Sequence, residues 1–308
     1  MTLPATVYQG IQVGVESTAG TPVAANKKLL SVTMKPSPQT ETSPFRAMGN
    51  KYASFVSLNK EWTSINIEGQ PTFNEIVYLL SGLMHYAAPA QQGATTAYKW
   101  TFVSNTSAAD VGKTFTIEQG DADRAWRVAG ARVSGLTFDF GRNEIRVSGN
   151  GVGEQLEIGV TLTASPTALS PVPILPTMLK FYMEDTQADL TGATALTNSF
   201  SMQWSLTDKF GLAWPVGQDA VAVEGEPNAS GKIVLATDTA GLGLIATLRA
   251  ANTKWFRIEA TGAEIASPYN HKLTIDFPAQ IEAVGDPSDT DNVYTMEFGL
   301  KPIHDATW

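Results

Sequence analysis

Apolar and polar positions alternate with period two through most of this chain, the pattern of half-buried β-strands. The runs Leu30–Met34, Tyr52–Leu58, Glu61–Glu68, Tyr98–Ser104, Lys113–Gln119, Ala131–Phe140 and Glu144–Ser148 read as strands, with Glu154–Ala164 as one more. The second half offers strands near Met178–Met183, Ser199–Leu206, Ala220–Glu224, Lys232–Ala236, Trp255–Ala260, His271–Val284 and Asn292–Lys301. Helical spacing occurs in two places. Phe73, Ile76, Val77, Leu79, Leu80, Leu83 and Met84 predict an amphipathic helix over Thr72–His85, and a shorter one is predicted over Gly241–Ala251. Each should cover one face or edge of a sheet.

The segments between these runs are as informative. Met1–Lys28 is rich in Gly, Thr and Ala and reads as an extended arm. Pro36–Lys51 holds three prolines and many polar breakers, and reads as a long loop of the kind that is usually functional or mobile. Ser165–Pro176, with Pro166, Pro171, Pro173 and Pro176, reads as a stiff linker.

A phrase also repeats. Ile65-x-Ile67-Glu68-Gly69-Gln70-Pro71 in the first half is matched by Val221-x-Val223-Glu224-Gly225-Glu226-Pro227 in the second. Each is an alternating run stopped by a Gly-x-Pro turn, followed directly or after one more strand by a helical stretch. Ser199–Met202 also echoes Ser31–Met34, and each precedes an irregular segment, the second being Thr207–Gln218. The order predicts two related β-rich modules within the 308 residues.

Composition narrows the function. Charged residues make up 17% of the chain, below the roughly 25% usual for soluble domains. Such a surface suits a protein that buries much of itself against neighbours. No apolar run reaches the ~18 residues of a membrane-spanning helix, and the start lacks the basic and apolar segments of a secretory signal. Cysteine is absent, which excludes disulfides, thiolate metal sites and thiol nucleophiles. The net charge of −9 lies wholly in residues 166–308, so tight phosphate binding is disfavoured.

Candidate chemistry is thin. Val111-Gly112-Lys113-Thr114 resembles the end of a phosphate-binding loop, but Ser107 stands where the earlier glycine belongs and a strand follows. Gly149-x-Gly151-x-Gly153 precedes no convincing helix and reads as a glycine-rich turn. Asp286, Ser288, Thr290 and Glu297 have calcium-loop spacing, but Asp291 replaces the required glycine, so an acidic hairpin loop is the favoured reading over a weak divalent site. His85, His271 and His304 lie in separate elements, and no catalytic, cofactor or metal residue can be nominated. Most of the seven tryptophans are expected in the core, with Trp214 and the terminal Trp308 as interface candidates.

The opening phrase Gln12–Ala25 (QVGVESTAGTPVAA) resembles the start of tail tube proteins of long-tailed bacteriophages. The Ile-x-Ile-Glu-Gly-Gln-Pro strand end, Leu79–Leu83 and Ala131–Phe140 are similar to that family too. The resemblance implies a mainly β protein: two tandem β-sandwich or flattened-barrel tail-tube modules, each with one covering α-helix. They would span 29–164 and 177–301, flanked by the arm 1–28, the linker 165–176 and the tail 302–308. It implies stacked rings, trimeric and pseudo-hexameric, around a lumen through which DNA passes without tight binding. Partners would be further copies of the chain, a tape-measure protein and tail-end proteins, in a virion tail assembled in the host cytoplasm, with no membrane insertion and no cofactor.

By the same resemblance the long loops contact neighbouring subunits or rings, which nominates Pro36, Pro38, Pro44, Phe45, Arg46, Met48, Lys51, Phe210 and Trp214. Val15, Glu16 and Trp308 are terminal contact candidates, and Glu282, Asp286, Asp289 and Asp291 candidates for an acidic lumen. Two other readings stand beside it. A β-sandwich adhesin or carbohydrate-binding module would be a monomer with an exposed aromatic platform, and a hydrolase would need a carboxylate pair that the sequence does not reveal.

Overall fold

The computed structural model describes residues 10–121, 124–216 and 220–304, and the fold is mainly β. The chain opens with β1 (Gly10–Val15), β2 (Lys27–Leu29), β3 (Val32–Phe45) and β4 (Phe55–Gly69), then α1 (Ile76–Leu83). A small hairpin of β5 (Ala90–Gln91) and β6 (Tyr98–Lys99) precedes β7 (Phe115–Gly120), β8 (Ala125–Gly141), β9 (Ile145–Gly153), β10 (Leu156–Val160) and β11 (Thr167–Ala168). The second half holds β12 (Leu179–Glu184), β13 (Ser199–Thr207), β14 (Phe210–Ala213), β15 (Val221–Glu224), β16 (Asn228–Ala236) and α2 (Thr239–Arg249). It closes with β17 (Lys254–Ala266), β18 (Tyr269–Val284), β19 (Ser288–Thr290) and β20 (Val293–Pro302).

Strand β8 organises the first half because it belongs to two layers. Its amino half pairs with β7 and β10, and its carboxyl half with β9 and β13. A bulge between Val133 and Gly135 marks the change, as an extra residue adds local bend and twist. One layer runs β11-β2-β1-β7-β8 and the other β3-β4-β9-β8. Alternate residues Leu136, Phe138 and Phe140 of β8 are essentially inaccessible and join Val13, Met34, Ile67 and Ile117 in the core. Helix α1 buries Ile76, Leu79 and Leu83 against that core.

Between β2 and β3 the chain crosses layers through Leu30 and Ser31. The buried Glu75 carboxylate receives the backbone N–H groups there: Leu30 N at 2.7 Å, Ser31 N and Val32 N at 3.1 Å, and the Ser31 hydroxyl. A crossing that would otherwise bury orphan donors is satisfied by one side chain.

The halves meet edge to edge. β13 lies antiparallel to β8, from Ser201 opposite Gly141 to Leu206 opposite Leu136, so the order β3-β4-β9-β8-β13-β16-β20-β18-β17-β12 is hydrogen-bonded throughout. The register repeats within it. The cross-strand row Met34–Ile67–Gly149–Leu136 has its counterpart in Met202–Ile233–Phe298–Val284. The bulge after Val133 recurs after Ile281, and a helix follows β16 as one follows β4. The counterpart of β4 is therefore β16. The second Glu-Gly-x-Pro phrase ends β15, which among the described residues pairs only with β14, so that phrase falls one strand early and does not mark the equivalent position.

Several expectations change. Residues 10–15 are not an arm but strand β1, with Ile11 and Val13 buried and β7 on its edge; only three alternating positions among small residues signalled it. Residues 1–9 lie outside the described set. The Pro36–Lys51 loop is strand as far as Phe45. Pro36 and Pro38 are two residues apart, so both missing N–H groups fall on one edge, and that edge faces away from β4, where no ladder bond is lost. Residues 100–104 are not strand, and Gly149, Gly151 and Gly153 lie within β9 rather than in a turn. A Cβ on Gly149 would sit 2.2 Å from the Gly135 carbonyl oxygen, so close backbone approach explains the glycine. The Pro-rich 165–176 segment is fastened to the first half through β11 on β2 and the bridge of Pro173 with Thr72. Of the six tryptophans described, only Trp255 is fully buried: Trp204 is partly buried against Phe138 of the core, and the other four sit on outward faces or loops.

Candidate functional site

Three surfaces or clusters draw attention: a projecting ribbon, a polar sheet face, and a buried group of charges. The ribbon is the outer part of the β3–β4 hairpin. Burial stops near Pro36 on β3 and Thr63 on β4, and beyond them the strands pair only with each other. Asn59 is the unpaired residue of a bulge opposite Glu41 and Thr42, which twists the ribbon. Its end exposes Phe45, Met48, Tyr52, Phe55, Val56 and Leu58, with the Phe45 and Phe55 rings stacked at 4.9 Å. Large apolar side chains exposed on both faces at the tip of a two-stranded ribbon are what an interaction surface looks like.

The nominated contact residues separate on inspection. Pro38, Pro44, Phe45, Arg46, Met48 and Lys51 are exposed on or near this ribbon, whereas Pro36 is buried at its root. Phe210 is withdrawn as a surface contact: it is 3% exposed, in β14, with the Arg132 guanidinium 3.6 Å above its ring. Trp214 is half-buried within the chain, edge-on to Trp62 at 5.4 Å and under Lys60 at 4.8 Å, so it braces the ribbon's root. Val15 is partly exposed, but Glu16 is buried and accepts from Gly20 N, Thr116 Oγ1 and Gly130 N, which removes it as a terminal contact. Trp308 lies outside the described residues. Tyr52, Phe55, Val56 and Leu58 were missed as contacts; the consecutive apolar pair Phe55-Val56, which breaks the alternation, was the available signal.

The sheet shared by both halves turns one face to the core and the other outward. Paired residues on the outward face include Thr33, Glu68, Ser148 and Thr137 in one row, and Arg146, Asp139, Gln203 and Lys232 in another. Gln203 donates to Asp139, and Lys232 lies 3.7 Å from Glu297. The face is polar, with charges of both signs interspersed. Glu282 is exposed at the β18 bulge, and Asp286, Asp289 and Asp291 are exposed in the connection to β20. That connection is a tight hairpin with Asp291 and Asn292 at positive φ, and the hydroxyls of Ser288 and Thr290 are engaged with Thr295.

Sequence reading missed the third feature. Lys209 directly follows Asp208, whose positive φ of 59° turns the chain inward after β13. The Lys209 ammonium touches Asp110 Oδ2, lies 3.0 Å from Ser104 Oγ and 3.9 Å from Glu224 Oε1. The Lys209 and Asp110 side chains are each 1% exposed. Glu224 Oε2 accepts from the Asp110 backbone N, Asn105 N donates to Asp110 Oδ1 at 2.7 Å, and Arg132 donates to the Asp110 carbonyl. His85 Nδ1 stands 3.9 Å from Asp110 Oδ1. Burial pushes the Asp110 carboxyl up, but the Asn105 N–H, Lys209 and Ser104 together bring it below its ordinary value. Burial pulls Arg132 down, against the opposing pull of Glu224 and Asp110. The participants come from segments about a hundred residues apart with no motif spacing, which is why no pattern revealed them.

Among the described residues no helix is long and apolar enough to cross a membrane. No protein-family model and no curated protein matches the chain.

Proposed function

We propose that this chain is a tail tube subunit of a long-tailed phage, and that three chains build a pseudo-sixfold ring. The observation that carries the reading is the β8–β13 junction together with the register repeat around it. Two four-stranded units, β3-β4-β9-β8 and β13-β16-β20-β18, are joined edge to edge. The same joint can be made again between chains, with β3 of one chain set beside the carboxyl end of β18, near Val284, in the next. Repetition by rotation closes a ring and leaves no open edge among these four-stranded units. Pro36 and Pro38 thin the donors on the outer edge of β3, which discourages indiscriminate strand pairing there.

In this arrangement the polar, mixed-charge sheet face lines the lumen. It offers DNA no continuous basic track, so the polymer slides rather than binds. The apolar ribbon tip reaches a neighbouring ring, and tape-measure and tail-end proteins meet the tube's interior and ends. Negative-stain microscopy and native mass of the purified chain test this: trimers, rings or tubes are expected. A chain that stays monomeric at high concentration, and is not taken up into tubes on tails, refutes it.

A further inference from the structure

We propose that Lys209 and Asp110 condense into an internal amide, with loss of one water, and that Glu224 carries the protons for the step. The two residues are 99 positions apart, yet their side-chain ends meet in a site closed to solvent. Their main chains are fixed as well: Lys209 N donates to the Ser134 carbonyl, its own carbonyl accepts from Gly225 N, and Asp110 N is held by Glu224. Nucleophile and carbon are thus presented to each other at the cost of little further ordering, the condition under which intramolecular reactions run fastest.

The chemistry balances without an added reagent. The step needs one proton moved from Lys209 Nζ to the Asp110 carboxylate, which gives the neutral amine and neutral acid that react. Glu224 Oε1 faces the Lys209 nitrogen and its Oε2 is anchored on Asp110, which places it to take a proton from the amine and return it to the departing oxygen. The Asn105 N–H on Oδ1 stabilises the charge that develops on that oxygen as the nitrogen adds. The Nζ–Cγ bond forms, the Cγ–Oδ2 bond breaks, and Oδ2 leaves with two protons from the original ammonium. Nothing is oxidised or reduced. Ser104 Oγ beside the nitrogen and Phe210 beneath Arg132 complete the pocket and exclude water that would favour the reverse reaction.

The product would weld the β14–β15 hairpin to the loop before β7, a covalent tie between the two halves. The direct test is the intact mass of the denatured full-length protein, with a digest read for linked peptides. A mass lower by one water and a peptide pair joined through Lys209 and Asp110 are expected. Lys209→Arg and Glu224→Gln should show the full mass, and Asp110→Asn should lose ammonia in place of water. Full mass in the wild-type protein after prolonged incubation overturns the proposal, as does a water loss that persists in Lys209→Arg. The wild-type reading needs no variant to fold, and its result is independent of whether the chain forms tubes.

Discussion

Glu75→Gln is a severe test of how the first half is held together. The carboxylate receives Leu30 N and Ser31 N on Oε1, and Ser31 N, Ser31 Oγ and Val32 N on Oε2. An amide of the same shape keeps one acceptor and turns an NH2 group toward the remaining N–H donors. Hydrogen bonds to a charged group contribute about 1.5–3 kcal/mol each, and a buried donor left unpaired costs about 1–3 kcal/mol. One bond weakened and at least one donor orphaned give an expected loss of about 3–5 kcal/mol. That is a large share of the ~5–15 kcal/mol by which domains are stable. Urea unfolding followed by far-ultraviolet circular dichroism reads the loss. A shift below about 1 kcal/mol with an unchanged slope would refute the argument that Glu75 satisfies the layer crossing.

Four further outcomes are expected. Gly149→Ala should cost about 1–3 kcal/mol or more, because the new Cβ meets a backbone oxygen that cannot swing away; calorimetry checks it. Phe45→Asp should leave the melting temperature of the isolated chain nearly unchanged and abolish tube growth in electron micrographs, since the ring pair is exposed in the monomer. Trp214→Ala should raise amide hydrogen exchange along the β3–β4 ribbon while leaving β17 and β18 protected, because it removes the brace on Trp62 and Lys60. The unlinked Glu224→Gln variant should show an acid-sensitive contribution from Asp110. Its folded pKa lies below the ordinary 3.8, so this stability is complete above that value and is lost as the pH falls through the folded one. The amide-linked chain has no such group to protonate, so comparing acid unfolding of the two separates them.

Much of the β framework was legible because period-two alternation survives wherever one face of a strand is buried, as along Ala131–Phe140. The helices were visible for the same reason at period 3.6. Strand β1 was hidden because its alternation, Ile11, Val13 and Val15, is only three positions long and lies among small residues. β3 was cut short because prolines argue against a strand unless the free edge is known, and edge status is a property of the sheet. The repeated Glu-Gly-x-Pro phrase misled about phase: local turn chemistry recurs wherever a strand must stop, whereas true equivalence shows only in the cross-strand rows. The ribbon was placed correctly in the chain but read as loop. The Lys209 cluster was illegible, since its members are joined only by tertiary packing.

The β8–β13 junction also constrains how the chain is made. The edge of β8 at 136–141 emerges from the ribosome well before Ser201–Leu206, its intended cover. Until then a second nascent chain presents an equivalent β13, and pairing with it would exchange halves between molecules while keeping every bond of the junction. In the folded chain the Pro-rich segment is attached to β2 and to Thr72, and the same contacts made early would release β13 close to its own β8. A short leash raises the local concentration of the correct strand above that of any neighbour. Slackening the leash, by replacing the prolines of 165–176 with glycine and serine, should therefore populate swapped dimers during expression.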